Sequence, residues 1–425
     1  MRSFAELLDR PYATELAQRL IRYAKIETTS DRHIEQIPST PTQRELARLL
    51  LSELTDLGIS DASMNEHCYI IARLPASSGC EEASSIGLMA HIDTASDVSG
   101  ANVRPRIIER YDGSAVRLGP DAATGGDYIL DPADNPDLAE RSGDTIIVTD
   151  GSTLLGADDK AGVAEIMTAA DYLLSHPEIK HGPLEIVFTP DEETGKGMDL
   201  FPLERLKSRA CYTLDGGKAG EVEAECFTAY AIKAEFKGKV VHIGSARGKL
   251  ANAVAMAASF VSMLPRSESP EATDGWYGYY CPLEISGGLE SATVEVFLRD
   301  FSQAGMDARI DAVKAIAKAV EAQFPLGSVA LTVTKQYVNM RERLDEHPEV
   351  LGRLMEAAKL AGAEPCIKPI RGGTDGARLT ELGVPTPNVF TGGYNYHSRY
   401  EWASVGEMVL AVETVLELVQ LWGKA

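Results

Sequence analysis

Apolar positions recur along the chain with two different periods. In "ELARLLLSELTDLG" (residues 45–58) they fall at helical spacing and stop at a glycine, and "GVAEIMTAADYLLSH" (residues 162–176) repeats that pattern. Between such stretches lie short β-rich runs, "YIIARLP", "SIGLMAHID", "LEIVFTPD" and "RACYTLDGG". Several of these are apolar throughout, as expected of strands covered on both faces. The alternation predicts an α/β fold with a mixed, largely parallel sheet flanked by helices. A segment rich in Gly, Pro and Asp, residues 110–145, reads as a long excursion before "DTIIVTD".

Beyond residue 217 the pattern changes. "CFTAYAIKAEFKG" reads as a strand, "KLANAVAMAASFVSMLP" as a helix, and "WYGYYCPLEISGG" with "SATVEVFLRD" as a strand pair. "MDARIDAVKAIAKAVEAQFP" reads as a helix and "SVALTVTKQYVN" as a strand. The order β-α-β-β-α-β is that of a ferredoxin-like α+β unit. The remainder, from "HPEVLGRLMEAAKLAG" to "SVGEMVLAVETVLELVQLW", returns to α/β character. The expected organisation is one α/β domain, residues 1–216 and 337–425, interrupted by an inserted domain at 217–336.

Composition agrees with two domains of ordinary size in a chain of 425 residues. Asp and Glu number 63 against 41 Lys and Arg, a formal charge of -22, and no Lys/Arg run interrupts it. Such a field repels phosphate, so nucleic acid and anionic membranes are poor partners. The N-terminus lacks the apolar stretch of a signal sequence, and "NAVAMAASFVSML" is too short to span a bilayer. The six cysteines show no paired spacing. A cytoplasmic location with reduced thiols is the expectation.

Ligand sites of open α/β sheets lie at the carboxyl ends of strands. There "IGLMA" ends in His91 and Asp93, "LEIVFTP" in Asp191, Glu192 and Glu193, and "ACYTL" in Asp215. The loop "LLGADDKAG" adds Asp158 and Asp159, and "GGYNYHSRYEW" adds His397. One loop acid alone is ordinarily a cap or turn residue. Crowded together, these groups would raise one another's pKa values unless a cation were present. Three carboxylates, Asp158, Glu193 and Asp215, with neutral His91 and His397 suit two divalent ions and a bridging hydroxide. Imidazole plus carboxylate without thiolate fits Zn²⁺, with Co²⁺ or Mn²⁺ feasible at the same ligands.

The ordered strings "MAHIDT", "TLLGADDKAGVAEI", "FTPDEETGKG", "TLDGG", "IRGGTDGA" and "NYHSRYEW" resemble the peptidase T family, tripeptide aminopeptidases of a di-zinc exopeptidase clan that includes aminoacylases and carboxypeptidases. The resemblance runs through nearly the whole chain. It implies two zinc ions per subunit, one held by His91 and Asp215, the other by Glu193 and His397, with Asp158 as the bridge. It implies that Asp93 orients His91 and that the Asp158–Asp159 peptide bond is cis. Glu192 would be the general base, and a turn must aim it and its neighbour Glu193 into one site. Attack would come from a zinc-bound hydroxide.

The same resemblance makes Arg371 the group that grips a substrate carboxylate. His242 would help stabilise the tetrahedral oxyanion, from the partner subunit in some dimers of the clan. This chain reads His-Ile-Gly at His242 where the family has His-Pro-Gly, and it lacks the family's further histidine near Arg399 or Tyr400. The inserted domain is expected to serve as lid and dimerisation surface of a homodimer. The implied activity is removal of the N-terminal residue from short peptides, tripeptides above all. The alternatives are a dipeptidase, carboxypeptidase or N-acyl amino acid deacylase of the same clan, and a small-molecule binding protein that has lost catalysis.

Overall fold

The structure, a computed structural model, describes residues 2–424. Two compact units make up the chain. The first comprises residues 1–224, 343–368 and 374–425, and the second residues 225–342 with 369–373.

The main sheet has eight strands, in the spatial order Asp61–Met64, Ile70–Leu74, Leu184–Thr189, Ile86–His91, Ala210–Gly216, Asn388–Phe390, Glu221–Cys226, Cys366–Ile370. From Leu184–Thr189 to Asn388–Phe390 each neighbouring pair is parallel. Antiparallel pairs flank that centre on both sides. Its apolar runs have a simple physical origin. Successive side chains point to opposite faces, and here both faces are covered. Ile70, Leu88, Ile186 and Tyr212 pack into the large core built with the helices Ala13–Ala24, Ala157–Ser175, Pro348–Ala361 and Val405–Gly423. Ile71, Met89, Val187 and Cys211 belong to a smaller cluster with Ile37, Tyr69, Met198, Phe201 and Leu379. Each fully buried Leu or Ile contributes about 1.5–3 kcal/mol, which makes a one-residue slip of the central strands prohibitive.

The 110–145 excursion has structure of its own. A hairpin, Val116–Pro120 with Asp127–Leu130, and the helical turn Pro136–Ala139 pack Val116, Leu118, Leu130 and Leu138 around Tyr394 and Trp402. Trp402 begins the short strand Trp402–Ser404, which pairs with Ile146–Val148.

In the second unit, Thr228–Lys237, Tyr279–Gly287, Ser291–Asp300 and Ser328–Tyr337 form an antiparallel sheet in which the first strand lies between the third and the fourth. Helices Ala253–Met263 and Gln303–Gln323 supply Met256, Phe260, Met306 and Val313 to its core. This is the ferredoxin-like β-α-β-β-α-β arrangement. Of its aromatic run, Tyr280 is buried, whereas Trp276 and Tyr277 stand 57% and 71% exposed. No helix among the described residues is long and apolar enough to cross a membrane.

Candidate metal centre

At the carboxyl end of the first unit's parallel strands the chain gathers acids and imidazoles. His91 closes its strand with only 2% of its surface exposed. Its Nε2 lies 2.9 Å from Asp158 Oδ1, 3.6 Å from Asp215 Oδ1 and 4.0 Å from Glu192 Oε2. On the other side of the ring, Nδ1 lies 3.3 Å from Asp93 Oδ1 and 3.1 Å from the Asp93 carbonyl. His397 approaches from a loop late in the chain. Its Nε2 stands 3.1 Å from Glu193 Oε2 and 3.3 Å from Asp158 Oδ2, and its Nδ1 lies 3.2 Å from Asp97 Oδ2. Asp158 thus has one carboxylate oxygen toward each imidazole.

Local backbone explains how these groups converge. Asp191 takes a left-handed conformation (φ 57°) and starts the single helical turn Glu192–Thr194, which lets two consecutive glutamates serve one site. Two anchors hold that turn. Asp93 accepts the Glu192 N–H at 3.0 Å and the Glu193 N–H at 3.2 Å. Asp191 itself is buried and accepts from the Ser39 N–H, the Ser39 hydroxyl and Gln43 Nε2 at 2.5–2.7 Å. The Asp158–Asp159 peptide bond is cis. Asp159 Oδ2 accepts the His91 N–H at 3.1 Å. Gly162, one turn further along the helix, lies so close to the neighbouring strand that a Cβ there would meet the Leu214 carbonyl oxygen at 1.8 Å.

The electrostatics is that of crowded acid. Burial, helped by neighbouring acids, pushes Glu192 and Asp159 well above the ordinary carboxyl range. Burial also raises Glu193 to about 7 and Asp215 to about 6. Burial acts on Asp158 in the same sense, but hydrogen bonds from His397 and His91 outweigh it and hold that carboxyl low. Burial works against both imidazolium ions, yet the carboxylates around them lift His91 well above its ordinary value and His397 to about 11. So many buried acids in one place call for positive charge, the role that cations fill in a metal centre.

The donors fit such a centre. One ligand atom each from His91, Asp158 and Glu193 lies within 4.8 Å of the others, and the same holds for His91, Asp159 and Asp215. Glu193 Oε1 is buried without a hydrogen-bonding partner in the protein. All are nitrogen or carboxylate oxygen atoms, a donor set that takes divalent zinc, cobalt or manganese.

His91, Asp93, Asp158, Glu192, Glu193, Asp215 and His397 therefore meet in the first unit. Arg371 and His242 belong to the second. Within that unit Arg371 donates from Nη1 to the Gly275 and Tyr277 carbonyls and from Nη2 to the Thr273 carbonyl and hydroxyl, at 2.7–3.1 Å. A carboxylate gripped by the same two nitrogens would compete with those bonds. His242 is exposed and precedes the turn Ile243–Ser245, its carbonyl taking the Ser245 N–H at 2.9 Å. Two acids beside the site, Asp97 behind His397 and Glu401 beneath Asp158, carry no signal in the sequence, where both look like ordinary loop acids.

Comparisons with known proteins bear on the same site. A model of peptidase family M20/M25/M40 matches residues 150–421. The Peptidase T of Bacillus licheniformis is 43% identical over 408 residues, 96% of this chain and 98% of its own. That of Clostridium perfringens is 44% identical over 407 residues with the same coverage. Among solved structures, an aminopeptidase from Bacillus cereus superposes with a TM-score of 0.72 at 21% identity, over 96% of this chain and 98% of its own. A Bacillus subtilis protein described as a dinuclear metal binding peptidase superposes with a TM-score of 0.64 at 14% identity, over 98% and 99%.

Proposed function

The chain belongs to peptidase family M20/M25/M40, and on that footing we propose that it is a metal-dependent aminopeptidase that releases the N-terminal residue of tripeptides. The observation that carries this reading is the convergence on Asp158 of His91 and His397, with Glu193 and Asp215 beside them, in a chain 43% identical to a Peptidase T. In this reading His91 and Asp215 hold one divalent ion, Glu193 and His397 the other, and Asp158 is shared. Zinc is the proposed metal, with Co²⁺ or Mn²⁺ able to use the same ligands. Bound there, the ions supply Lewis acidity toward the scissile carbonyl and a water whose pKa falls to ~7.

The protein's own groups do the rest. Glu192 takes the proton of the attacking water at its carboxylate and delivers it to the departing amine. Asp93 keeps Glu192 and His91 in register through the contacts given above, and the acid-rich walls favour the substrate's N-terminal ammonium. His242 is proposed for the oxyanion. Arg371 is proposed for the far carboxylate, which it would receive by releasing part of the Thr273–Tyr277 loop. A cytoplasmic homodimer joined through the second unit completes the reading; Leu283 and Ile285, exposed on the strand Tyr279–Gly287, support it.

A panel of di-, tri- and tetrapeptides, each with a free and an acetylated amino terminus, tests this reading. Free tripeptides should be cleaved fastest and acetylated ones not at all. Preferential cleavage of acetylated substrates would make the protein a deacylase. Glu192→Gln should retain its metal and lose turnover, and parallel loss of both would place the base elsewhere.

A further inference from the structure

Glu401, four residues after His397, belongs to no group considered so far. Its side chain is buried, at 1% exposure. One oxygen, Oε2, accepts the N–H groups of Leu155 and Gly156 at 2.6 and 2.7 Å, and Oε1 accepts the N–H of Asp158 at 3.2 Å. These donors lead into the helix Ala157–Ser175. Asp158 and Asp159, near its start, have non-helical backbone angles, and Gly156 before it is left-handed (φ 78°). The turn that presents Asp158 is therefore irregular, although the Lys160 N–H still reaches the Gly156 carbonyl at 3.2 Å. Glu401 fixes it from outside.

Its own backbone has a firm base. Trp402–Ser404 follows at once and is paired along its length with Ile146–Val148. A second tie runs the same way, since Arg399 Nη1 donates to the Gly151 and Ser152 carbonyls. The loop bearing His397 and the segment bearing Asp158 are thus clasped together, although more than 200 residues separate them in sequence.

We propose that Glu401 is a positioning residue of the metal centre: by accepting the Asp158 N–H it sets the Asp158 carboxylate at the spacing from His397 that two ions require. The inference rests on the dinuclear reading given above and extends it to a residue that makes no contact with substrate. Charge-assisted hydrogen bonds from backbone N–H groups to a buried carboxylate are strong, and the short bonds from Leu155 and Gly156 fix Glu401 where its other oxygen meets the Asp158 N–H at 3.2 Å.

Glu401→Gln separates this role from simple capping. The amide oxygen can keep the Leu155 and Gly156 bonds, while the amide NH₂ replaces the acceptor facing Asp158 with a donor. The metal-free protein is titrated with Co²⁺ alone and followed by visible absorption, with melting temperature and peptide kinetics measured alongside. The variant is expected to melt within a few degrees of the parent, to bind the cobalt pair about 10–100-fold more weakly with an altered spectrum, and to lose kcat while KM holds. Glu401→Asp, which keeps both acceptors on a shorter arm, should recover part of the affinity and of the spectrum, and it carries the test should the glutamine variant not fold. Wild-type affinity and an unchanged spectrum in Glu401→Gln would overturn the proposal, as would an equal loss in both variants. A parent protein that binds two cobalt ions and cleaves no peptide would refute the proposed activity, whereas the binding measurements would still decide the role of Glu401.

Discussion

Glu165 offers a quantitative test of how burial governs this fold. It lies in the helix Ala157–Ser175 at 0% exposure, and neither carboxyl oxygen has a hydrogen-bonding partner in the protein. Burial alone drives its carboxyl well above the ordinary value of 4.5. Replacing it with Met keeps the length of the side chain and removes the polar group. An unsatisfied buried polar group costs about 1–3 kcal/mol, so Glu165→Met should stabilise the fold by that order even where the carboxyl is protonated. Ionisation adds to the cost. Because the folded pKa is raised, the folded state holds more protons than the unfolded chain from pH 4.5 upward to the folded value. Wild-type stability therefore falls through that window, by up to about 1.4 kcal/mol per pH unit, and is unpenalised below it. Calorimetry of the metal-loaded proteins at pH 5 and pH 8 reads the effect, at about 2 °C per kcal/mol for a domain of this size. The variant should melt a few degrees above the parent at pH 5 and further above it at pH 8. An equal gap at both pH values, or a variant less stable at pH 8, would refute the reasoning.

Two further outcomes concern the site. Asp93→Asn removes one of the two oxygens that receive Glu192 N–H and Glu193 N–H and places an NH₂ against a backbone donor or the His91 ring; metal affinity or kcat/KM should fall by about 10–100-fold, as measured by metal competition and steady-state kinetics. Chelation should make stability more sensitive to alkali. In the metal-free protein Glu193 is raised to about 7 and Asp215 to about 6, so the folded state holds extra protons from their ordinary values of 4.5 and 3.8 upward and loses stability as pH climbs to 7; the fall in denaturant midpoint from pH 5 to pH 8 should be larger for the metal-free form than for the loaded one, which keeps the Glu165 contribution.

Much of the site could be read from the sequence because it sits where apolar runs turn polar. His91 with Asp93, Glu192 with Glu193, and Asp215 each end a strand whose interior is continuously buried, and that boundary is visible in one dimension. Glu401 and Asp97 had no such marker. Their roles depend on partners that only folding brings near, and a loop acid looks the same whether it faces solvent or three backbone N–H groups. The engagement of Arg371 with its neighbouring loop was equally invisible. Among the elements, the helix Ala13–Ala24 does carry a helical signal in Leu16, Leu20 and Tyr23, buried at i, i+4 and i+7, but frequent charges between them obscured it. The strand Glu221–Cys226 alternates as it should, with Val222, Ala224 and Cys226 buried, though acids at every second position disguise it. Arg106–Ile108 and Gly393–Tyr394 are too short to show any period.

The two imidazoles differ sharply in shelter: the His91 side chain is 2% exposed and that of His397 is 42% exposed. A cation beside the first would be walled in by sheet and helix, and one beside the second would lie nearer bulk water. Exchange with the surrounding medium should accordingly be lopsided, the outer position filling and emptying first while the inner one lags. A chelator pulse should then strip the outer ion faster than the inner one.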